Sequence, residues 1–240
     1  MKYYKAIAII GPTSIGKTKV ALQLAKNTGV GEMVNMDKLF LFKHFRLSSG
    51  LSDVFKERGV KKHLYELLEP NDKIIPVAEY IRMVQNTCSQ ILANRGLPII
   101  EGGSTTYIPA FLAMNNKRDF CRPVVGLCFP QNFNIRNIIS ERLGIALEMG
   151  LLDEIKNNMR KRRNTLGMLE GHAAVPLVRY LDGIIGLNEA KEEIIDRCLK
   201  YVQGQMDAFI KYPGIIWLEH EPAKLTQTVQ KILSLLKNNS

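Results

Sequence analysis

A glycine-rich loop directly after an apolar run is the feature that most limits what this chain can fold into. The run spans residues 6–10, and the loop reads Gly-Pro-Thr-Ser-Ile-Gly-Lys-Thr at residues 11–18, a match to G-x-x-x-x-G-K-[ST]. The apolar residues of the next segment, 19–26, have helical spacing. A buried strand, a phosphate-binding loop (P-loop) and a helix are therefore predicted in that order.

The residue types in this loop suit the binding of phosphate groups. Gly11 and Gly16 let backbone amides crowd around an oxyanion, and the helix N-terminus adds a partial positive charge. Lys17 adds a full positive charge, and Thr18 is placed to offer a hydroxyl to Mg²⁺. The motif predicts polyphosphate binding but does not say whether the polyphosphate belongs to a nucleotide.

Composition and charge narrow the class of protein. Of the 240 residues 46% are hydrophobic, which is enough for a sizeable core, and the apolar stretches are far shorter than a membrane span. The four cysteines lack metal-binding spacing and the first strand begins too early for a secretory signal, so we expect a cytoplasmic protein with reduced thiols and no membrane association. The net charge of +10 favours anionic partners such as nucleic acid, nucleotides or diphosphates.

Strand-like runs alternate with helical patterns, an order that produces a parallel sheet wrapped by helices. Further strands are predicted at 32–36, 62–68, 97–100, 124–129 and 214–218, and further helices at 76–94, 133–149, 151–162, 187–211 and 222–237. We expect an α/β fold with a P-loop NTPase-like parallel sheet and a mainly helical C-terminal lobe. Residues 1–240 are predicted to form a single domain with three parts: a core of about 1–130, a helical lobe of about 131–212, and a terminal strand and helix of about 213–240.

Polar residues follow two of the predicted strands. Asp37 comes after the second strand, and Glu101-Gly102-Gly103-Ser104-Thr105 comes at the end of a later one. Kinases and NTPases hold Mg²⁺ with an acidic residue at a strand end, usually of a later strand than the one before Asp37. Because the carboxyl ends of parallel strands meet at one edge of a sheet, Asp37 can face the P-loop.

Taken together, these motifs resemble the adenine N6-isopentenyltransferases. That family includes the tRNA dimethylallyltransferases and the shorter adenylate dimethylallyltransferases that make cytokinins. The resemblance rests first on Gly11-Pro12-Thr13 with Gly16-Lys17-Thr18, on Asp37 and on Gly102-Gly103-Ser104-Thr105. It continues in patches to about residue 220, through Lys62-His63-Leu64, Glu141-Arg142-Leu143, Gly150-Leu151-Leu152-Asp153-Glu154, Tyr180-Leu181-Asp182-Gly183 and residues 213–218.

The resemblance implies that the loop binds dimethylallyl diphosphate instead of ATP. Asp37 would then accept a proton from the adenine N6 amine, while Lys17 and Arg142 stabilise the departing diphosphate. The implied diphosphate-binding residues are Gly11, Thr13, Ser14, Gly16, Lys17, Thr18 and Arg142, with Mg²⁺ held in part by Thr18. The implied residues that bind the acceptor nucleotide are Asp37, Gly103, Ser104 and Thr105.

Several of these residues also have a purely structural interpretation. Asp37 could cap a helix, and Ser104 and Thr105 could cap the helix that follows them. Arg142 could be an ordinary exposed arginine on a helix surface. Capping by Ser104 or Thr105 would be compatible with a contact to a nucleotide as well.

The sequence departs from the family pattern at positions that bear on the acceptor. Ile15 stands where the family has serine, and Phe40 where it often has glutamine. The arginine that the tRNA enzymes carry in the late helix falls at Leu199, or alternatively at Arg197. Their Ile-Gly-Tyr segment is replaced near His172-Ala173-Ala174. These losses weigh against tRNA modification.

Length favours a small acceptor as well. Only some twenty residues separate Gly103 from the strand at Val124, where the tRNA enzymes carry a helical insertion that helps grip the anticodon arm. The Trp217 segment and the basic charge look more like the tRNA branch. Because gripping RNA needs surface area, we expect a free adenine nucleotide of the AMP type as acceptor, with an anticodon-loop adenosine of tRNA as the alternative.

Two functions of a different kind remain open at this point. A small-molecule kinase would bind ATP at residues 11–18 and its acceptor near Gly102, and a non-catalytic module would bind a nucleotide without turning it over. For the transferase, the expected partners are dimethylallyl diphosphate and an adenine nucleotide or tRNA. We expect the chain to act as a monomer with Mg²⁺ as cofactor.

Overall fold

A single parallel sheet organises the chain. The computed structural model describes residues 5–51, 57–118, 120–161 and 171–238. Its six strands lie in the order β3-β2-β4-β1-β5-β6, and every neighbouring pair is parallel. The strands are β1 (Ala6–Ile10), β2 (Gly31–Asn35), β3 (Lys62–His63), β4 (Leu97–Gly102), β5 (Cys121–Cys128) and β6 (Ile215–Glu219). The predicted α/β class, with a P-loop-like parallel sheet flanked by helices, is confirmed.

Eight α-helices lie within the described residues. They are α1 (Lys17–Thr28), α2 (Val77–Ala93), α3 (Tyr107–Arg118), α4 (Ile135–Glu148), α5 (Leu151–Lys161), α6 (Ala174–Leu181), α7 (Leu187–Phe209) and α8 (Leu225–Asn238). Single 3₁₀ turns cover Leu39–Leu41 and Pro222–Lys224. None of these helices is both long and apolar enough to cross a membrane.

Two local predictions were wrong. The strand expected over residues 62–68 ends at His63, because Leu64 and Glu66 adopt left-handed backbone conformations, with φ of 64° and 50°, that interrupt an extended chain. The last helix begins at Leu225 rather than residue 222, because a 3₁₀ turn precedes it. Helix α6 was not predicted at all, and α3 was expected only as a helix after Ser104 and Thr105, without bounds.

Strand β1 lies at the centre of the sheet and is buried on both faces. Ile7 and Ile9 face the layer formed by α1 and α8, while Ala8 and Ile10 face the layer formed by α2 and α3. All of its residues are fully buried, which explains why the strand is apolar without alternation. The sheet thus has helices on both faces and the P-loop leaves its central strand.

A third hydrophobic core, besides those on the two faces of the sheet, holds the helical lobe together. Side chains from α4, α5, α6 and α7 pack around Phe42 and Phe45, which come from the segment that follows β2. Helix α7 belongs to two of these cores, because Ile194 packs in the lobe and Phe209 packs against the sheet. This long helix therefore joins the lobe to the sheet.

Candidate functional site

The P-loop has the backbone conformation that its glycines permit. At Gly11 φ is +149°, and a Cβ there would lie 2.5 Å from the carbonyl oxygen of Leu127. Gly16 precedes α1 with φ of +94°, and the half-buried Ser14 is also left-handed with φ of 64°. Since side chains with a Cβ rarely adopt such angles, the glycines are required for the turn from β1 into α1.

Lys17 is buried at the start of α1 and is surrounded by charges. Its Nζ donates a hydrogen bond to the carbonyl oxygen of Pro12 at 2.8 Å. Burial lowers the pKa of Lys17, the charges of Asp37 and Glu101 raise it, and the charge of Arg142 lowers it. These effects show that both carboxylates and the guanidinium lie within electrostatic reach of the P-loop lysine.

Thr18 is paired with a buried carboxylate. Its hydroxyl donates to Oε2 of Glu101 at 3.0 Å, and the hydroxyl of Tyr65 donates to Oε1 of the same residue at 2.8 Å. Burial raises the pKa of Glu101 to about 7, against the opposing effects of the Lys17 charge and these two hydrogen bonds. Sequence reasoning noted Glu101 at the strand end but gave it no role, and it gave no signal for Tyr65.

Asp37 lies just beyond β2 and is fixed by backbone donors. Its Oδ1 accepts from the backbone N–H of Leu39 at 3.1 Å, and its Oδ2 accepts from the N–H of Gly103 at 3.3 Å. The first bond stabilises the turn at Leu39–Leu41, so Asp37 does have a structural role. The second bond turns the carboxylate towards the end of β4, so the predicted site role is compatible with it.

The end of β4 packs tightly against both neighbouring loops. A Cβ on Gly102 would lie 2.3 Å from the carbonyl carbon of Met36. A Cβ on Gly103 would lie 2.8 Å from the oxygen of Gly11 and 3.1 Å from Nζ of Lys17. Glycine is therefore needed at both positions so that the strand end can approach the P-loop.

This crowding predicts a stability difference between two glycine substitutions. Gly102→Ala should lower the free energy of unfolding by about 1–3 kcal/mol, because the added methyl group overlaps rigid backbone atoms. Gly204→Ala, in the middle of α7 with no atom near its Cβ position, should raise it by about 0.5–1 kcal/mol. Urea unfolding of both variants checks the opposite signs, and a stable Gly102→Ala protein would contradict the packing.

Ser104 caps the helix after β4. Its hydroxyl oxygen accepts from the backbone N–H groups of Thr106 at 3.2 Å and Tyr107 at 3.1 Å, and the side chain is buried. Thr105 is exposed. The structural interpretation of Ser104 is thus realised, and nucleotide contacts by Ser104 and Thr105 stay predictions.

A buried glutamine on α7 ties the P-loop to β4. The N–H of Thr13 donates to Oε1 of Gln205 at 2.8 Å, and Nε2 of Gln205 donates to the carbonyl oxygen of Gly103 at 2.6 Å. Gln205 is fully buried. Sequence reasoning missed this residue, because nothing in the helical pattern distinguishes it from the exposed Gln203 two positions earlier.

Tyr201 lies on α7 one turn before Gln205, and its ring packs against that of His172 from the segment before α6. The rings of His172 and Tyr201 are 4.5 Å apart at their centroids and inclined by 48°. Burial lowers the pKa of His172, while the charge of Asp37 raises it and that of Arg197 lowers it. The segment that departs from the family pattern therefore lies within electrostatic reach of Asp37.

Arg142 reaches towards the site from α4. Its side chain is exposed, and its Nη2 would lie 2.6 Å from a Cβ placed on Gly50. Its charge lowers the pKa of Lys17, as described above, and opposes the rise in the pKa of Cys198 that burial causes. The structure thus brings Arg142 close enough to act on the P-loop electrostatically, while its exposure also agrees with the structural interpretation.

Apolar packing explains the side chains at the three positions where the sequence departs from the family pattern. Ile15 is fully buried in the core beneath the P-loop, and Leu199 packs against the core of the lobe. The ring of Phe40 stacks on that of Tyr65 at 6.2 Å and 22°, next to the hydroxyl that binds Glu101. Each of these residues makes an apolar contact where the resemblance implied a polar side chain.

The protein oxygens suit Mg²⁺ only if a diphosphate completes its coordination. Among the residues that the structure describes, no group of three or more His, Cys, Asp or Glu side chains could hold a metal. Thr18 supplies one hydroxyl at the start of α1, next to the Glu101 carboxylate. Mg²⁺ typically binds through one or two protein oxygens together with phosphate oxygens and water, so the donor set fits that mode.

A P-loop on the central strand of a parallel sheet, with the carboxylates of Asp37 and Glu101 at the same edge, defines a P-loop-like α/β protein. A family model described as isopentenyl transferase matches residues 4–131. Because this match spans more than half of the 240 residues, the chain belongs to the isopentenyl transferase family. The resemblance seen in the sequence is confirmed at the level of the family.

The relatives include both branches of the resemblance. The chain is 28% identical over 202 residues to adenylate isopentenyltransferase 7, mitochondrial, of Arabidopsis thaliana, covering 82% of this chain but only 58% of that protein. It is 23% identical over 300 aligned positions to the tRNA dimethylallyltransferase of Fervidobacterium nodosum, covering 98% of this chain and 97% of that protein. The tRNA delta(2)-isopentenylpyrophosphate transferase of Staphylococcus epidermidis has the same fold, with a TM-score of 0.84, 18% identity, and coverage of 98% of this chain and 99% of that one.

Proposed function

We propose that this protein transfers a dimethylallyl group from dimethylallyl diphosphate to the N6 amine of adenine and releases diphosphate. The placement of Gly103 carries the proposal. The backbone N–H of Gly103 donates to the Asp37 carboxylate, and a Cβ placed on Gly103 would lie 3.1 Å from Nζ of Lys17. The Lys17 ammonium, which can bind phosphate, and the Asp37 carboxylate, which can accept a proton, therefore lie on either side of Gly103 at the edge of the sheet. Transfer from a diphosphate to an amine requires both groups close together.

The P-loop side lowers the energy of the leaving group. Negative charge develops on the diphosphate as the C–O bond breaks, and fixed donors aimed at that charge reduce the barrier. Lys17, the loop amides and Arg142 supply positive charge there. When bound, Mg²⁺ supplies further charge neutralisation beside Thr18.

The Asp37 side activates the acceptor. The lone pair of the adenine N6 amine is delocalised into the ring, so the amine is a poor nucleophile. A carboxylate that accepts a hydrogen bond from N6 orients the lone pair and takes the proton as the new C–N bond forms. Backbone bonds from Leu39 and Gly103 hold the Asp37 carboxylate in one orientation, which favours in-line approach.

A free adenine nucleotide of the AMP type is the acceptor in this proposal. One helix, α3, connects β4 to β5, so this connection offers little surface for RNA. The alignment with the Fervidobacterium tRNA enzyme runs over 300 positions, which is 60 more than the 240 residues of this chain. That relative therefore carries a corresponding length of chain with no counterpart here.

An adenosine in the anticodon loop of tRNA is the second candidate acceptor. The tRNA relatives from Fervidobacterium and Staphylococcus align with nearly the whole chain, and the net charge of +10 favours a polyanion. Both candidates use the same P-loop and the same Asp37, so they differ only in what carries the adenine.

An isotope-transfer assay tests the proposal. The protein is incubated with labelled dimethylallyl diphosphate and Mg²⁺, and AMP, ADP, ATP or unmodified tRNA is offered in turn. We expect label in at least one of the free adenine nucleotides. Label in tRNA alone would replace the first acceptor by the second, and consumption of ATP without prenyl transfer would contradict the proposed reaction.

A further inference from the structure

Glu101 is a buried carboxylate that the proposed reaction does not use. It lies in β4, in register with Ile9 of β1 on one side and Asn35 of β2 on the other. Its side chain is fully buried beside the start of α1. Burying an ionisable group costs free energy unless it is well paired, so its place behind the P-loop calls for a functional explanation.

The two hydroxyls around Glu101 have defined donor directions. A hydroxyl has one proton, and Thr18 donates its proton to Oε2 at 3.0 Å. Tyr65 donates to Oε1 at 2.8 Å, so both carboxylate oxygens accept a hydroxyl proton. The lone pairs of the Thr18 oxygen are therefore directed away from Glu101 and are available to a cation.

An ion pair with Lys17 does not explain why the Glu101 carboxylate is buried here. Although its charge acts on Glu101, Lys17 makes no ion pair with any described residue, and its Nζ donates to Pro12 instead. The contact that Glu101 makes within the P-loop motif is with Thr18, the residue whose hydroxyl suits a metal.

We propose that Glu101 is a positioning residue for the Mg²⁺ that accompanies the diphosphate. By accepting the Thr18 proton it fixes the orientation of the hydroxyl that binds the cation, and its negative charge favours a cation at that point. Partners of this kind behind a metal ligand typically change metal affinity by about 10–100-fold when removed. The inference rests on the proposed function only in that the P-loop binds a diphosphate.

Glu101→Gln tests the inference by removing the charge at nearly constant shape. Mn²⁺ serves as the probe, and its binding to the protein with inorganic diphosphate is measured by electron paramagnetic resonance at about pH 8. We expect the Mn²⁺ affinity to fall about 10–100-fold. Diphosphate binding without metal should be unchanged or stronger, because a negative charge near the anion is lost. A merely structural role would weaken both, so parallel losses would overturn the inference.

Tyr65→Phe is the matched control. It removes the other hydrogen bond to Glu101 and leaves the carboxylate and its contact with Thr18 in place. We expect its Mn²⁺ affinity to stay within about 3-fold of the wild type, well short of the loss expected for Glu101→Gln. A loss in Tyr65→Phe as large as that in Glu101→Gln would contradict a specific action through Thr18.

A coupled pair of substitutions keeps the test decisive if Glu101→Gln is unstable. Glu101→Asp retains the charge but draws the acceptor back from Thr18, and should lower Mn²⁺ affinity about 3–10-fold. Thr18→Val should lower it as well, and adding Glu101→Asp to Thr18→Val should lower it no further, because both act through one hydroxyl. Additive losses, or wild-type affinity in Glu101→Asp, would overturn the inference.

The two proposals fail separately. If the wild type transfers label to adenine and Glu101→Gln binds Mn²⁺ like the wild type, only the role of Glu101 is wrong. If Glu101→Gln loses Mn²⁺ but the wild type prenylates no adenine acceptor, the positioning role stands and the reaction is wrong.

Discussion

Asp37→Asn is expected to bind diphosphate like the wild type and to lose about 10²–10⁴-fold in kcat. Asparagine keeps the shape of the side chain but cannot accept a proton from the N6 amine. The substitution also places an amide where the carboxylate oriented the lone pair of that amine. The loss should therefore appear in the chemical step rather than in the affinity for the donor.

We expect this variant to fold. The oxygen of asparagine can still accept from the N–H of Leu39, the shorter of the two bonds at 3.1 Å. The other bond, from the N–H of Gly103, is the longer one at 3.3 Å, and it is lost because the amide nitrogen of asparagine would face that N–H. An activity loss in Asp37→Asn is thus separable from unfolding.

Single-turnover transfer of label from dimethylallyl diphosphate measures the effect, with diphosphate binding measured by calorimetry in parallel. Asp207→Asn is the control, because Asp207 is an exposed carboxylate on α7 that pairs only with Gln203 in the described residues. It should transfer label at the wild-type rate. Near-normal turnover in Asp37→Asn would remove Asp37 from the role of proton acceptor.

The core of the fold could be predicted because its signals are local. An unbroken apolar run before a glycine-rich loop defines β1 and α1, and the observed limits, Ala6–Ile10 and Lys17–Thr28, differ from the prediction by two residues at most. Helix α6 was not predicted from the sequence, because it has only eight residues and a proline at its third position. The first turn of a helix tolerates proline, but a sequence pattern treats proline as a break.

The site was predictable where strand ends bring residues together. Lys17, Asp37 and Gly103 follow neighbouring parallel strands, so topology alone places them at one edge. Gln205 and Tyr65 could not be found in this way. Gln205 contacts Thr13 across 192 positions of sequence, and that contact depends on where the lobe returns α7 to the sheet. Tyr65 contacts Glu101 from an irregular segment. Its neighbours Leu64 and Glu66 have left-handed backbone conformations, which no sequence pattern predicts.

Lys17→Met is expected to weaken diphosphate binding about 10–100-fold, with a matching loss in kcat/KM for the prenyl donor. A hydrogen bond from a charged donor contributes about 1.5–3 kcal/mol, and Lys17 is the buried cation of the loop. The variant also loses the hydrogen bond from Lys17 to the Pro12 carbonyl oxygen, which is a bond within the loop. Methionine has nearly the same length and an apolar stem, so the buried position stays filled.

Lys19→Met, two residues further along α1, is the matched control. It separates the effect of the position of Lys17 in the P-loop from the effect of net charge. Lys19 is exposed and lies outside the loop, so its loss should change diphosphate affinity by less than about 2-fold, because solvent screens its charge. Both variants lose one positive charge and gain the same side chain. If they bind inorganic diphosphate equally well, net charge and not the P-loop geometry would explain the binding. If Lys17→Met alone loses affinity, the buried lysine is the cation that holds the leaving group.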